Sequence, residues 1–307
     1  MIKKKIDDAA VLEQLSKLPE DSRYIYTLDD GKFRLTAMQC TAMVNQMRAN
    51  FGLGFLETWV LGQAYVAGGL LAGEVKGNDR IVLTVQCGGP IKGFSVEAWA
   101  CGAVRGYLQQ VPIPLDKPME GKDLNLLYGP GFLSITKIIE GSKEPFCGNV
   151  MMEYGDLAKD LALYYQQSEQ TPSIFDLSLK FDKKGTLIGA GGLFVQVLPG
   201  CSEESLDKME KLSAKLPYVG KKISEGEDMK SFVDEVFSDL KPQFLSKAAV
   251  GFSCPCTRGN FLAHLRSLPQ DEKDGILKDD KFPVTVSCLN CGTDYEFSKE
   301  EIFGEDK

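Results

Sequence analysis

The alternation of apolar and polar positions divides this chain into three stretches of different character. In the first, helical spacing over residues 36–50 and again over 56–75 leads to KGNDR, a turn, and then IVLTVQC, a β-branched run that predicts a strand. Further strand patterns occupy residues 94–100, 132–139 and 146–152. One helical pattern, 154–170, interrupts them and stops before Pro172. SIFDLSLKF and GTLIGAGGLFVQVLP then read as a hairpin turning at Asp182–Gly185. Strands arrive in blocks and do not alternate strictly with helices. Residues 1–200 are therefore expected to form an α+β body of packed sheets and helices.

Residues 201–250 differ. ESLDKMEKLSAKL predicts a short helix, broken at Pro217 and Gly220. DMKSFVDEVFSDL then places Met229, Phe232, Val233, Val236, Phe237 and Leu240 on one face at helical spacing. Bounded by EGE and KP, this helix is isolated, needs an apolar surface to dock on, and is expected to act as a metastable linker. Residues 251–307 form a third unit. RGNFLAHLRSLP predicts a helix with Phe261, Leu262, Leu265 and Leu268 inward, KDGILKDD a shorter one, and FPVTVSC and TDYEF two strands flanking CLNCG. So small a unit buries too little surface to fold unaided and needs a staple.

Charge narrows the function. The chain of 307 residues has a net charge of −8, and residues 251–307 carry seven Lys/Arg against eleven Asp/Glu. A zinc-ribbon nucleic-acid binder needs the opposite balance, and no anionic membrane partner is expected. The start, MIKKKIDDAAVLEQL, lacks the apolar core of a secretory signal, and TWVLGQAYVAGGLLAG (58–73) is too short to span a bilayer and reads as a buried helix. A cytoplasmic location, with thiols kept reduced, is the expectation. The one histidine, His264, sits on a predicted helix inside the third unit, which disfavours a Ser/His/Asp or Cys/His catalytic set. GAGG (189–192) and GLG (52–54) are not nucleotide-binding loops and read as close strand packing or turns. Met38, Met43 and Met47 read as a core face.

Nine cysteines remain. Cys40, Cys87, Cys101, Cys147 and Cys201 stand singly among apolar neighbours and are expected mostly as buried small hydrophobes. The other four are paired as Cys254-Pro-Cys256 and Cys288-Leu-Asn-Cys291, with 31 residues between the pairs. CLNCG between two strands looks like a zinc knuckle, with Gly292 free to take positive φ. Four thiolates make a closed tetrahedral zinc site, structural and not catalytic, and such sites contribute about 10–16 kcal/mol in small peptides. Cys254 and Cys256 lie near or beyond the Cα separation a disulfide tolerates, so a bond between them would be strained and easily reduced. Spacing alone leaves two readings open: a permanent zinc staple, or a staple whose thiols also serve as a reversible switch. A thioredoxin-like oxidoreductase using Cys288 and Cys291 is a third, and the flanks of CLNC lack the strand–C-x-x-C–helix arrangement it needs.

The two ordered cysteine pairs, with SEQTP (168–172), GGLFVQVLP (191–199), SLPQDEKDGIL (267–277) and SCLNCGTDYEF (287–297), resemble the heat-shock protein 33 family of redox-regulated bacterial chaperonins over nearly the whole chain. The resemblance implies a holdase and not an enzyme. Its reduced form would bind one Zn²⁺ per chain through Cys254, Cys256, Cys288 and Cys291 and be largely inactive. Oxidation would form Cys254–Cys256 and Cys288–Cys291 disulfides, expel zinc, unfold the third unit and the linker, and yield homodimers. These would hold unfolded client proteins and pass them to ATP-dependent foldases.

Overall fold

Two sheets with a helix between them make the body of the molecule, which a computed structural model describes over residues 1–115 and 124–304. Helix α1 (Ala9–Lys17) precedes strands β1 (Ser22–Leu28) and β2 (Phe33–Gln39) and helices α2 (Thr41–Phe51) and α3 (Phe55–Leu71). Strands β3 (Arg80–Cys87), β4 (Gly93–Trp99) and β5 (Ala103–Leu108) follow, then the short α4 (Asn125–Tyr128), β6 (Gly131–Ile138), β7 (Phe146–Met151) and α5 (Leu157–Gln167). The hairpin β8 (Ser173–Phe181) and β9 (Leu187–Val197) leads to α6 (Glu203–Ser213), α7 (Val219–Ser224) and α8 (Met229–Val236). The chain ends in β10 (Gln243–Ala249), β11 (Gly251–Phe252), α9 (Arg258–Ser267), α10 (Gln270–Asp279), β12 (Val284–Ser287), β13 (Asp294–Phe297) and α11 (Lys299–Phe303).

The first sheet runs β10-β1-β2-β9-β8, with every neighbouring pair antiparallel. The second runs β11-β5-β4-β3-β6-β7, and only its β11–β5 edge is parallel. Helix α3 is apolar on all sides and packs against strands of both sheets, so it is buried between them. That is the fate expected of the apolar run at 58–73, and no helix among the described residues is long and apolar enough to cross a membrane. The α+β class stands, and the hairpin is β8–β9.

The expected helix over 36–50 needs correction. Residues 36–39 belong to β2, and the helix begins at Thr41, where Asp21 accepts hydrogen bonds from the Ala42 and Met43 amides. Strand β2 is buried on both faces, so its apolar run carries no visible alternation and merges with the helical pattern after it. Met38, Met43 and Met47 are all core residues, Met38 from the strand. Of the single cysteines only Cys40 is buried; Cys87 and Cys201 are half-buried, and Cys101 and Cys147 are exposed. These four sit at a strand end, in a loop, at a turn and on the edge strand β7, where the fold provides no second layer.

The outer face of the first sheet is covered by the helices after residue 201. Tyr24, Tyr26, Leu28, Phe33, Leu35, Ala37, Leu193 and Val195 form one buried cluster with Met229, Phe232, Val233, Phe237 and Leu240, and Val236 packs at its edge. The Met229 amide donates to Gln39 Oε1 (3.1 Å), and the Asp29 amide to the Leu240 carbonyl (2.6 Å). Gly189 lets α7 approach: a Cβ there would lie 2.1 Å from the Gly220 carbonyl oxygen. The same stretch also contributes β10, an exposed edge strand paired with β1, beyond what the pattern predicts.

Candidate metal centre

Each cysteine pair is placed by a different device. Strand β11 docks along β5, with the Gly251 amide donating to Gly102 and the Ser253 amide to the Val104 carbonyl (2.9 and 3.0 Å). This sets Cys254 against the body. Cys256 lies just before α9, whose first turn is capped by the Thr257 hydroxyl, which accepts from the Asn260 amide. Cys288 and Cys291 sit in the turn between β12 and β13, where the Cys291 and Gly292 amides both donate to the Cys288 carbonyl (3.2 and 2.8 Å). Gly292 adopts φ +62°, as the knuckle reading requires.

The fold brings the four sulfurs together, all within 4.8 Å of one another. The short contacts cross the two halves: Cys254 Sγ to Cys288 Sγ is 3.9 Å, and Cys256 Sγ to Cys291 Sγ is 3.4 Å. A tetrahedral zinc–thiolate site has sulfur–sulfur edges of about 3.8 Å, from zinc–sulfur bonds of about 2.3 Å. The donor set thus fits a divalent soft-ligand cation such as zinc, and four sulfurs fill its shell. His264 is exposed on α9 and lies outside the cluster.

The cluster lies at a seam. Cys254, Cys288 and Cys291 belong to the main core of the body, whereas Tyr295, Phe297 and Ile302 form a separate small core. Arg105 on β5 donates from Nη1 to Cys254 Sγ (3.2 Å). The Gly106 amide donates to the Asn290 carbonyl (3.2 Å), and Asn50 Nδ2 to the Cys291 carbonyl (3.0 Å). The N-terminal arm adds a strap: the Met1 amino group donates to the Cys256 carbonyl (2.7 Å) and the Ile2 amide to Thr293 Oγ1 (3.1 Å). Asn50 also binds this arm, accepting from the Lys4 amide (3.1 Å). Arg105 and Asn50 have no signal in the cysteine spacing. The only local hint at Arg105 is a charge alternating with apolar residues in a strand directly opposite Glu97.

The electrostatics single out one sulfur. The hydrogen bond from Cys291, together with the Arg105 guanidinium, holds the Cys254 thiol down at about 4, against the opposing effect of burial. Its neighbours go the other way. Sharing that proton with Cys254 and burial push Cys291 up, and burial pushes Cys288 up.

Comparison with known proteins agrees with this geometry. The model of the family described as "Hsp33 protein" matches residues 21–298. A 33 kDa chaperonin of Desulforamulus reducens is 34% identical over 274 residues, spanning 89% of this chain and 92% of its own length. That of Bacillus subtilis is 31% identical over 277 residues, 90% of this chain and 94% of its own. The crystal structure of the 33 kDa chaperonin (heat shock protein 33 homolog) of Thermotoga maritima superimposes with a TM-score of 0.83 at 28% identity, covering 92% of this chain and 97% of that one. With a family match over most of its residues and relatives alike along nearly their whole length, the chain belongs to the Hsp33 family, the 33 kDa chaperonins.

Proposed function

We propose that this protein is a redox-regulated holdase of the cytoplasm, resting when its four cysteines are reduced and metal-bound and active when they are oxidised. The observation that carries the reading is the gathering of four thiols at the seam with the body, in a chain whose linker helix is docked by an apolar face. Bound zinc would supply a closed structural staple and no open position for chemistry. Cys254, Cys256, Cys288 and Cys291 would hold it. Oxidation to Cys254–Cys256 and Cys288–Cys291 disulfides removes all four donors at once. The third unit, residues 251–307, then has only the small core around Tyr295, Phe297 and Ile302. Residues 201–250 follow, exposing Met229, Phe232, Val233, Val236, Phe237 and Leu240 together with the sheet face they cover. That surface takes unfolded clients, in a homodimer, until ATP-dependent foldases collect them.

A thiol–disulfide oxidoreductase fits less well. Cys288 and Cys291 are 5% and 0% exposed, in a turn between strands and not at a helix N-terminus. The test is light scattering from a denatured client diluted into the reduced, zinc-loaded protein or into protein treated with hypochlorous acid. Suppression by the oxidised form alone is the expected outcome. Suppression by both forms, or by neither, would reduce the cysteines to a permanent staple.

A further inference from the structure

Arg105 lies where the charge of the cysteine cluster meets the body. Its side chain is about four-fifths covered, and its guanidinium stacks 5.1 Å from the Trp99 ring centre and pairs with Glu97 through Nη2 (2.5 Å) and Nε (2.7 Å). Glu97 is also engaged by Arg80 Nε at 2.6 Å. Two guanidiniums therefore share one carboxylate, and this corner of the second sheet carries one positive charge in excess. No other carboxylate pairs with either arginine among the described residues. The remaining acceptor on Arg105 is the sulfur of Cys254, reached by Nη1 at 3.2 Å.

We infer that Arg105 is a positioning residue that latches the cysteine unit to the body only while Cys254 is a thiolate. This rests on the redox reading above and names how the body senses it. The four zinc-bound thiolates and the dication carry two net negative charges. Two equivalents of hypochlorous acid accept four electrons from them. Two S–S bonds form and two O–Cl bonds break, leaving two chlorides, two hydroxides and the free dication. The sulfur facing Arg105 then has no charge, while Arg80, Glu97 and Arg105 keep their excess positive charge. A charge-assisted hydrogen bond becomes a weak contact from a largely covered cation to a neutral sulfur, which favours separation of the unit from β5. The Gly106–Asn290 and Asn50–Cys291 bonds of the seam bind backbone carbonyls and do not respond to sulfur charge. Thr293 Oγ1, which accepts from Cys291 Sγ (3.2 Å) and from the Ile2 amide, is neutral, whereas Arg105 is the charged side chain that the body places on a sulfur.

The experiment uses the full reduced chain loaded with zinc, as wild type, Arg105→Gln, Arg105→Lys and Asn50→Ala. Zinc loss to excess 4-(2-pyridylazo)resorcinol and hydrogen exchange over 251–256 and 288–293 are followed. Arg105→Gln should release zinc about tenfold faster, the worth of one charged hydrogen bond near 1.4 kcal/mol. Arg105→Lys should recover most of that, because the charge is kept. Asn50→Ala should speed exchange in 288–293 while leaving zinc loss within about twofold of wild type, since it removes a neutral bond to a carbonyl. Wild-type release in Arg105→Gln, or a lysine variant no better than glutamine, would overturn the latch. Neither readout involves a client. An inactive chain with the expected pattern would sink the holdase and leave the latch, and an oxidant-activated holdase with a flat Arg105 response would do the reverse. A wild-type chain that binds no zinc would overturn both.

Discussion

The last third of this chain is fastened to the body at two seams built on opposite principles. The linker seam is apolar: five side chains of the α8 region enter a buried cluster on the outer face of the first sheet, with few hydrogen bonds. Among the described residues, the Tyr26 hydroxyl and Asp176 Oδ2 on that face make no hydrogen bond to another protein group. The metal seam is polar: Arg105, Gly106, Asn50 and the N-terminal arm each place a hydrogen bond on a cysteine or its neighbour. An apolar seam with unpaired polar groups is held mainly by buried area, with a few hydrogen bonds and the β10–β1 pairing beside it, and is weakened by each orphan. A seam built on four thiolates yields at once when their chemistry changes. On the function proposed above, the metal seam would serve as the trigger and the linker seam as the surface later shown to clients.

The contrast can be broken at the metal first. Replacing Cys288 and Cys291 by serine should abolish zinc binding and unfold residues 251–297, at a cost on the order of 10 kcal/mol. Zinc content and circular dichroism read the result, and full retention of zinc would refute the four-thiolate site. Next, Phe232→Ala should weaken linker docking by about 3–5 kcal/mol, the usual cost of emptying a buried aromatic site. Hydrogen exchange over 229–240 should rise while zinc content stays at one per chain. Loss of zinc in this variant would mean that the two seams are not separate devices.

The smallest effect is a pH dependence of the linker seam. Burial raises Asp176 from its ordinary 3.8 to about 6, with Tyr218 of the linker as its charged-state neighbour. A carboxyl raised in the folded state favours docking when protonated. The penalty is absent below about pH 4, grows as pH rises toward 6, and is fully present above it. Allowing for partial exposure, it amounts to about 2 kcal/mol. Urea unfolding at pH 5.0 and 7.5 should show the wild type losing more stability than Asp176→Asn over that interval. Equal losses would remove Asp176 from the account. Asp21, raised by burial to about 7, acts in the same direction, so the comparison with the variant isolates Asp176.

Much of this was legible because its signals are local. The amphipathic face at 229–240, the β8–β9 hairpin (Ser173–Val197) and the knuckle at Cys288–Cys291 are each continuous stretches of chain, where period and turn chemistry operate. The helix expected at 36–39 failed because a strand buried on both faces has no alternation to read. The single cysteines failed because apolar neighbours in sequence do not say whether a second layer covers them. Strands β10 and β11 pair only with β1 and β5, far back along the chain, and left little trace.

Read alone, the sequence carries the donor chemistry: four cysteines in two close pairs, at a spacing that suits one metal ion. What only the tertiary structure decided was where that donor set sits and what touches it. The docking of β11 on β5 sets Cys254 beside Arg105, some 150 residues away, and α2 brings Asn50 to Cys291. Such contacts join positions with no common period, so they exist only once the chain has folded.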